Sequence, residues 1–322
     1  MIIDVHAHIL PQFFLNLVSM GGIPSVSLQA LPNGGRRLLF DQTPHPCMPA
    51  FYEVRAQLAN MDAHGIDRQA VSIGPRLFFY DRDSQWAAAF CHRCNAEILE
   101  RCRLFPSRLI PVGGLPMQDA ALALRELQWL ASQNVPMIQI GTTIAGRRLD
   151  DPAFTPVFQA AAESGMVVML HPLIENQDEQ TRTHHLSNVA GNPYQTMAAS
   201  GNLIAGGVLD QTPSLQVMLV HGGGALPYQI FRMDHAWEVR PKGEFLCREK
   251  PSVYLKRNFL SDALLFSPEP LYLLRQLLGD DRILYGTDAP YDMADYGQLD
   301  GIEDKEAARR IGCQNAIRWL RL

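Results

Sequence analysis

Residues 1–10 read MIIDVHAHIL, and the stretch from Ile2 to His8 decides the fold. Ile2, Ile3 and Val5 form an apolar run of strand character, and on a strand residues i and i+2 share a face. Asp4, His6 and His8 therefore project together, with Asp4 one step deeper. Two imidazoles aimed the same way are what two nitrogen ligands of one metal require. For the motif alone, a polar pair in a core strand is an equal explanation.

Outward from this stretch, seven further apolar runs have the length of buried parallel strands: 69–74, 109–115, 137–141, 167–171, 217–221, 253–259 and 283–286. Helical patterns separate many of them, at 84–103, 120–132, 154–164, 195–210, 268–278 and 303–320. Eight strands alternating with helices predict an α/β fold, and a closed (β/α)8 TIM barrel better than an open sheet. Two residues follow the last helix, so one domain spanning 1–322 accounts for the chain. Two stretches break the alternation: 9–49, an insertion after the first strand rich in Gly, Pro and Asn, and the polar 173–193. Both follow strand C-termini, where a barrel carries its active site, so they read as lids or substrate walls, or else as surface insertions.

The 322 residues carry 28 Lys and Arg against 33 Asp and Glu, a net charge of −5 that argues against nucleic acid as a partner. A hydrophobic fraction of 47% with 19% charged residues fits a soluble protein with a large core. No apolar run is long enough to span a membrane. The first residues lack a basic segment and place Asp4, His6 and His8 where a signal peptide would be apolar. Six scattered cysteines do not form a disulfide framework, and a cytoplasmic location is expected.

Other chemistry-bearing residues sit where apolar runs give way to loops. His171 ends 167–171 and precedes Pro172; His221 ends 217–221 and precedes three glycines; Asp288 follows 283–286. A barrel brings such ends onto one rim. His6, His8, His171 and Asp288 then supply three nitrogens and a carboxylate, a set that suits Zn²⁺ or another borderline divalent cation. The run 137–141 contains no lysine to bridge two metals as a carbamate, which favours a mononuclear centre.

These residues carry a resemblance. The order HxH, strand-end His, second strand-end His and late Asp is similar to the amidohydrolase superfamily. IDVHAHILP (3–11), LPMQ (115–118), QIGT (139–142), HGGGALP (221–227) and GTDAPY (286–291) more closely resemble its amidohydrolase-related decarboxylases, typified by aminocarboxymuconate-semialdehyde decarboxylase. The likeness runs through nearly the whole chain. It implies one Zn²⁺ per subunit, with Mn²⁺ or Fe²⁺ as alternatives, held by His6, His8, His171 and Asp288. It implies that His221 is an acid/base residue beside the metal and not a ligand. It also implies a homodimer in which Arg232 reaches the neighbouring subunit's site and holds a substrate carboxylate. Two positions depart from the pattern. Met48 stands where the decarboxylase has a substrate-gripping arginine, with Arg36, Arg37 or Arg55 as substitutes from another register. Asn188 stands where it has a tryptophan.

The expected activity is non-oxidative decarboxylation of a small carboxylated aromatic or muconate-like substrate. A hydrolase of the same superfamily, cleaving an amide, lactone or C–C bond, is the alternative, and a non-catalytic metal-binding barrel is the third. The HGGG stretch also occurs in α/β-hydrolase oxyanion loops, but no GxSxG elbow accompanies it. Cys91 and Cys94 have CxxC spacing without a second pair and read as thiols within a helix. His64, His92 and His235 fall on helical stretches and read as structural or surface groups. His184 and His185 lie in the loop over the expected site.

Overall fold

The computed structural model describes residues 1–32, 35–173 and 179–322. Its strands, in chain order, are β1 (Ile3–Ile9), β2 (Val26–Ala30), β3 (Arg36–Phe40), β4 (Thr43–Pro46), β5 (Arg68–Ile73), β6 (Leu109–Gly114), β7 (Met137–Gly141), β8 (Val167–His171), β9 (Gln216–Leu219), β10 (Phe259–Asp262) and β11 (Ile283–Leu284). Eight form one all-parallel sheet, ordered β1-β5-β6-β7-β8-β9-β10-β11. The sheet comes round on itself beyond β11. Val5 N–H donates to Tyr285 O (2.9 Å), Asp288 N–H to His6 O (2.7 Å) and His8 N–H to Ala289 O (2.7 Å). The strands are buried on both faces, as parallel strands covered by helices must be; MIQIG in β7 has no exposed residue.

The helices follow from local chemistry. Ala120–Ser132 buries Leu122, Leu127 and Leu130 on one side. Asp119 caps it, accepting from the Ala121 and Leu122 N–H groups. Ser84–Leu104 is capped in the same way by Asp83, which accepts from Trp86 N–H. Cys91, Cys94 and Cys102 lie buried as free thiols on its inner side, as expected for a helix and not for a metal knuckle.

Three expectations need correction. The run 253–259 is not a strand. Pro251–Asn258 is a helix that buries Tyr254, Leu255 and Asn258, a helical spacing, and the strand is the next four residues, Phe259–Asp262. The helix expected over 195–210 is broken at Gly206 and Gly207 into Asn192–Ala205 and Val208–Gln211, with Gly207 at φ +72°. The insertion after β1 holds regular elements: a helix, Gln12–Ser19, and the antiparallel sheet β2-β3-β4. The hairpin between β3 and β4 turns on Asp41 and Gln42, both at positive φ, the geometry that matches strand twist. Of the stretch 173–193, positions 174–178 lie outside the described residues.

One side chain ties the first strand to the last. Asp4, fully buried, accepts from Thr287 Oγ1–H (2.6 Å), Thr287 N–H (2.9 Å), Gln69 Nε2–H (2.9 Å) and His6 N–H (3.0 Å). Burial pushes its carboxyl up while these four bonds act to hold it down. Asp4→Ala would leave the donors unsatisfied in the core. It is expected to destabilise the protein by about 3 kcal/mol or more, read as a fall in the urea midpoint at unchanged slope.

Candidate metal centre

His6 and His8 leave the same face of β1, His171 ends β8, and His221 and Asp288 follow β9 and β11. The structure brings all five to the C-terminal mouth of the barrel. His6 Nε2 and His8 Nε2 are 3.2 Å apart, and Asp288 Oδ1 is 3.1 Å from His8 Nε2 and 3.5 Å from His6 Nε2. The His171 ring centroid is 5.3 Å from that of His6 and 5.1 Å from that of His8. One donor atom from each of His6, His171, His221 and Asp288 lies within 4.8 Å of every other.

The tautomers follow from the outer partners. His6 Nδ1 meets the Asp262 carboxylate at 2.9 Å, His8 Nδ1 the Ile73 carbonyl at 3.2 Å, and His171 Nδ1 the Pro172 carbonyl at 2.9 Å. Each of those oxygens can only accept, so each Nδ1 carries the proton and each Nε2 presents a lone pair inward. His171 Nε2 and Asp288 Oδ1 are buried without a hydrogen-bond partner. Three inward lone pairs and a carboxylate oxygen repel one another unless a cation sits among them. This donor set fits a divalent cation of borderline softness.

Electrostatics separate His6 from His8 and His171. Burial pushes His8 down and His171 well down, so both stay neutral. Burial acts in the same direction on His6, but the bond to Asp262 and the charge of Asp288 outweigh it. Burial would raise the Asp288 carboxyl; the bond to His221 and the neighbouring histidines hold it well below the usual carboxylate range.

His221 packs into the same cluster, its ring centroid 5.4 Å from those of His6 and His171. Its Nε2 lies 3.7 Å from Asp288 Oδ2, and its buried Nδ1 has no hydrogen-bond partner. The backbone from His221 through Gly224 runs at positive φ throughout, at 56°, 64°, 77° and 59°. A Cβ on Gly224 would come within 2.6 Å of Pro193 O, so glycine is required there. Asp288 is also held at φ +61°; two non-glycine residues in this region mark backbone strain concentrated at the cluster.

Two adjoining cavities, of about 230 and 270 Å³, open onto the cluster and share His221, Asp288, Asn188, Asn192 and Met293. The first is lined by His45 on β4, Arg76, His185 and Asp292 together with Pro44, Pro46, Pro75 and Tyr291. The second is walled by Val189, Leu264, Leu265 and Phe266. The insertion after β1 is therefore a wall of the site. His45 is pinned there, its Nδ1–H donating to Pro46 O (2.8 Å) and its Nε2 accepting from Tyr291 Oη–H (3.0 Å).

The expected arginines are elsewhere. Arg36 lies over the Tyr52 ring, Arg37 bonds Gln29, and Arg55 is exposed on the helix Val54–Ala63; none lines either cavity, nor does Met48. Arg232 is exposed on the helix Leu226–Val239 and likewise lines neither cavity of its own chain. Asn188 does line both, and His185 one. Away from the mouth, His92 meets Glu126 at 3.0 Å and His64 stacks on Tyr296. The sequence reading missed Asp262, Arg76, His45 and Asn192. Asp262 was within reach, since it too ends a barrel strand. Its carboxylate takes His6 Nδ1–H and the His221 and Gly222 N–H groups.

Known proteins share this architecture. The family model described as amidohydrolase matches residues 3–322. The chain belongs to that family. It is an enzyme of the amidohydrolase superfamily. It is 31% identical over 310 residues to 2-amino-3-carboxymuconate-6-semialdehyde decarboxylase of Dictyostelium discoideum, covering 92% of this chain and 84% of that one. It is 28% identical over 283 residues to gamma-resorcylate decarboxylase of Rhizobium sp. (strain MTP-10005), covering 83% and 86%. The crystal structure of 5-carboxyvanillate decarboxylase from Novosphingobium aromaticivorans, complexed with manganese and 4-hydroxy-3-methoxy-5-nitrobenzoic acid, superposes with a TM-score of 0.83. That match is at 22% identity over 100% of this chain and 96% of that one.

Protein purified without chelator is expected to carry about one equivalent of divalent metal by elemental analysis. His171→Ala and Asp288→Ala should drop this below about half an equivalent, and chelation should lower the melting temperature of the parent protein.

Proposed function

We propose that the chain is a metal-dependent, non-oxidative decarboxylase of a small carboxylated aromatic or muconate-like substrate, working as one barrel domain over residues 1–322. The observation that carries this is the cluster itself: donor atoms of His6, His171, His221 and Asp288 lie within 4.8 Å of one another, and His8 Nε2 lies 3.2 Å from His6 Nε2 and 3.1 Å from Asp288 Oδ1, beneath two adjoining cavities. Support comes from relatives and a structural neighbour that are decarboxylases of carboxylated aromatics or of aminocarboxymuconate semialdehyde. His6, His8, His171 and Asp288 would hold the cation, Zn²⁺ by donor set or Mn²⁺ by analogy with the neighbour. When bound, it supplies Lewis acidity to an oxygen of the substrate.

The chain's own residues handle the proton. Decarboxylation breaks the bond from carbon to carboxylate; the electron pair stays on the carbon and neutral CO2 leaves. That carbon must then take a proton. His221 Nε2 is the group placed to carry it at the mouth, with Asp288 Oδ2 3.7 Å away to stabilise the imidazolium form. Asp262 fixes the His221 backbone through its N–H (3.0 Å), so the imidazole is held by its main chain while Nδ1 stays unpinned.

We also infer a homodimer. Tyr228 and Phe231 are exposed beside Arg232 on one helix, and Tyr194, Val189 and Phe266 are exposed on loops and helices bordering the same mouth. Such apolar exposure fits a subunit interface, and an exposed arginine there can serve a neighbour's site. No helix among the described residues is long and apolar enough to cross a membrane. The six buried free thiols support a reducing, cytoplasmic setting.

CO2 release from 2,6-dihydroxybenzoate, 5-carboxyvanillate and muconate-type acids tests the activity. His221→Ala is expected to retain metal and lose at least about a hundredfold in kcat. Metal-loaded protein that releases no CO2 from any of these acids but hydrolyses lactones or amides would make the hydrolase the better account. Mixing inactive Arg232→Ala and His221→Ala proteins should restore about a quarter of parental activity through heterodimers that each hold one intact site; no recovery after subunit exchange removes the role given to Arg232.

A further inference from the structure

Asn192 opens the helix Asn192–Ala205, a place where an asparagine ordinarily caps with its side chain. Here it does not. The helix has no side-chain cap bond, and it is the Asn192 carbonyl that accepts from Thr196 Oγ1–H (3.1 Å). The side chain is buried, with 5% of the residue exposed, and its Oδ1 has no hydrogen-bond partner. A buried acceptor left unpaired destabilises a fold, so this position is not tuned for stability.

The place of the amide is fixed and central. Asn192 lines both cavities, together with His221, Asp288, Asn188 and Met293. Pro193 O accepts from Ala225 N–H (3.1 Å), which fastens the start of the helix to the turn after His221. The last torsion of an asparagine is broad and roughly two-fold, so a turn about Cβ–Cγ exchanges oxygen and nitrogen at the wall. The amide thus offers a donor or an acceptor, without charge, where the cavity walled by Val189, Leu264, Leu265 and Phe266 meets the cluster.

We propose that Asn192 is a specificity-determining residue of this site, hydrogen-bonding a hydroxyl group of the substrate where the two cavities join. This rests on the decarboxylase reading and deepens it, by assigning an uncharged substituent of the substrate to a named side chain. A hydroxyl both donates and accepts, so it pairs with whichever end of the amide is presented. A carboxylate there would only accept, from a neutral donor and beside the Asp288 carboxylate. A methyl group in its place leaves the amide unpaired against an apolar surface, the situation that rejects an analogue most strongly. Asn188 shares the wall but is only half-buried on the turn Ser187–Gly191, so water can satisfy it and it discriminates less.

Titration calorimetry on the metal-loaded protein tests this with two matched pairs, 3-hydroxybenzoate against 3-methylbenzoate and 4-hydroxybenzoate against 4-methylbenzoate. In each pair a hydroxyl and a methyl of similar size stand away from the carboxylate, out of reach of a cation that holds it. The parental protein should bind the hydroxylated member of at least one pair about tenfold more tightly. Asn192→Leu, close to isosteric, should erase that preference, with the methyl acid bound at least as well and metal content unchanged. Asn192→Ala should erase it too. Neither variant should melt below the parent, because no hydrogen bond of the amide is lost; an asparagine that served the fold would lower both. A preference that persists in both variants, equal weakening of both members of a pair, melting temperatures lowered in both variants, or no preference in the parent overturns the proposal. If the decarboxylase reading alone is wrong, the binding preference and its loss persist while no CO2 appears.

Discussion

Everything at the mouth of this barrel depends on one repulsion. His6 and His8 present unprotonated Nε2 atoms to each other at 3.2 Å, with a carboxylate oxygen of Asp288 as near. Neutral histidines in water would rotate apart. Here they do not, because each Nδ1–H is fastened to a fixed acceptor: the Asp262 carboxylate, the Ile73 carbonyl or the Pro172 carbonyl. The outer bonds choose the tautomer, and the tautomer aims the lone pairs. The fold thus pays in advance for bringing like dipoles together, and a cation recovers that cost on binding. His221 lacks such fastening at Nδ1, so no outer bond orients its ring as it does the other three.

Barrel closure is what lets residues 6 and 288 meet. Asp4 and Thr287 are joined by two hydrogen bonds, His6 and Asp288 by a backbone bond, and His8 and Ala289 by another. The same two chain segments that complete the sheet also carry three of the cluster's side chains. Stability and site geometry are therefore not separable at this seam. A shift that loosened it would move Asp288 relative to β1 before it disturbed the helices outside.

Much of this was legible in the residues, and the failures have physical causes. The period-2 placement of His6 and His8 on an apolar run, and strand-end positions for His171, His221 and Asp288, needed no knowledge of packing. The strand β7 and the helices Ala120–Ser132 and Pro268–Leu278 stand where the apolar patterns put them. The run at 253–259 misled because Val, Tyr and Leu in sequence suit a strand or a buried helix face equally; Pro251 at the first helical turn was the overlooked signal. That error hid Asp262. The insertion after β1 read as irregular because its hairpin turns on Asp41-Gln42 instead of a glycine pair, and because in β2 only Val26 is fully buried. Arg76 was not legible: it lines the first cavity from a turn after β5, opposite residues of β4, a meeting that no local pattern encodes.

The charge arithmetic of the site bounds what the cluster alone can do for an anion. Asp4, Asp262 and Asp288 place three carboxyl groups at or beside β1, all buried. A divalent cation would offset two of them; burial pushes His8 and His171 down, while the Asp262 bond and the Asp288 charge push His6 up. The protein as a whole carries −5. Coordination at the cation is short-ranged and directional, so it can seat one end of a substrate but cannot steer or orient the other.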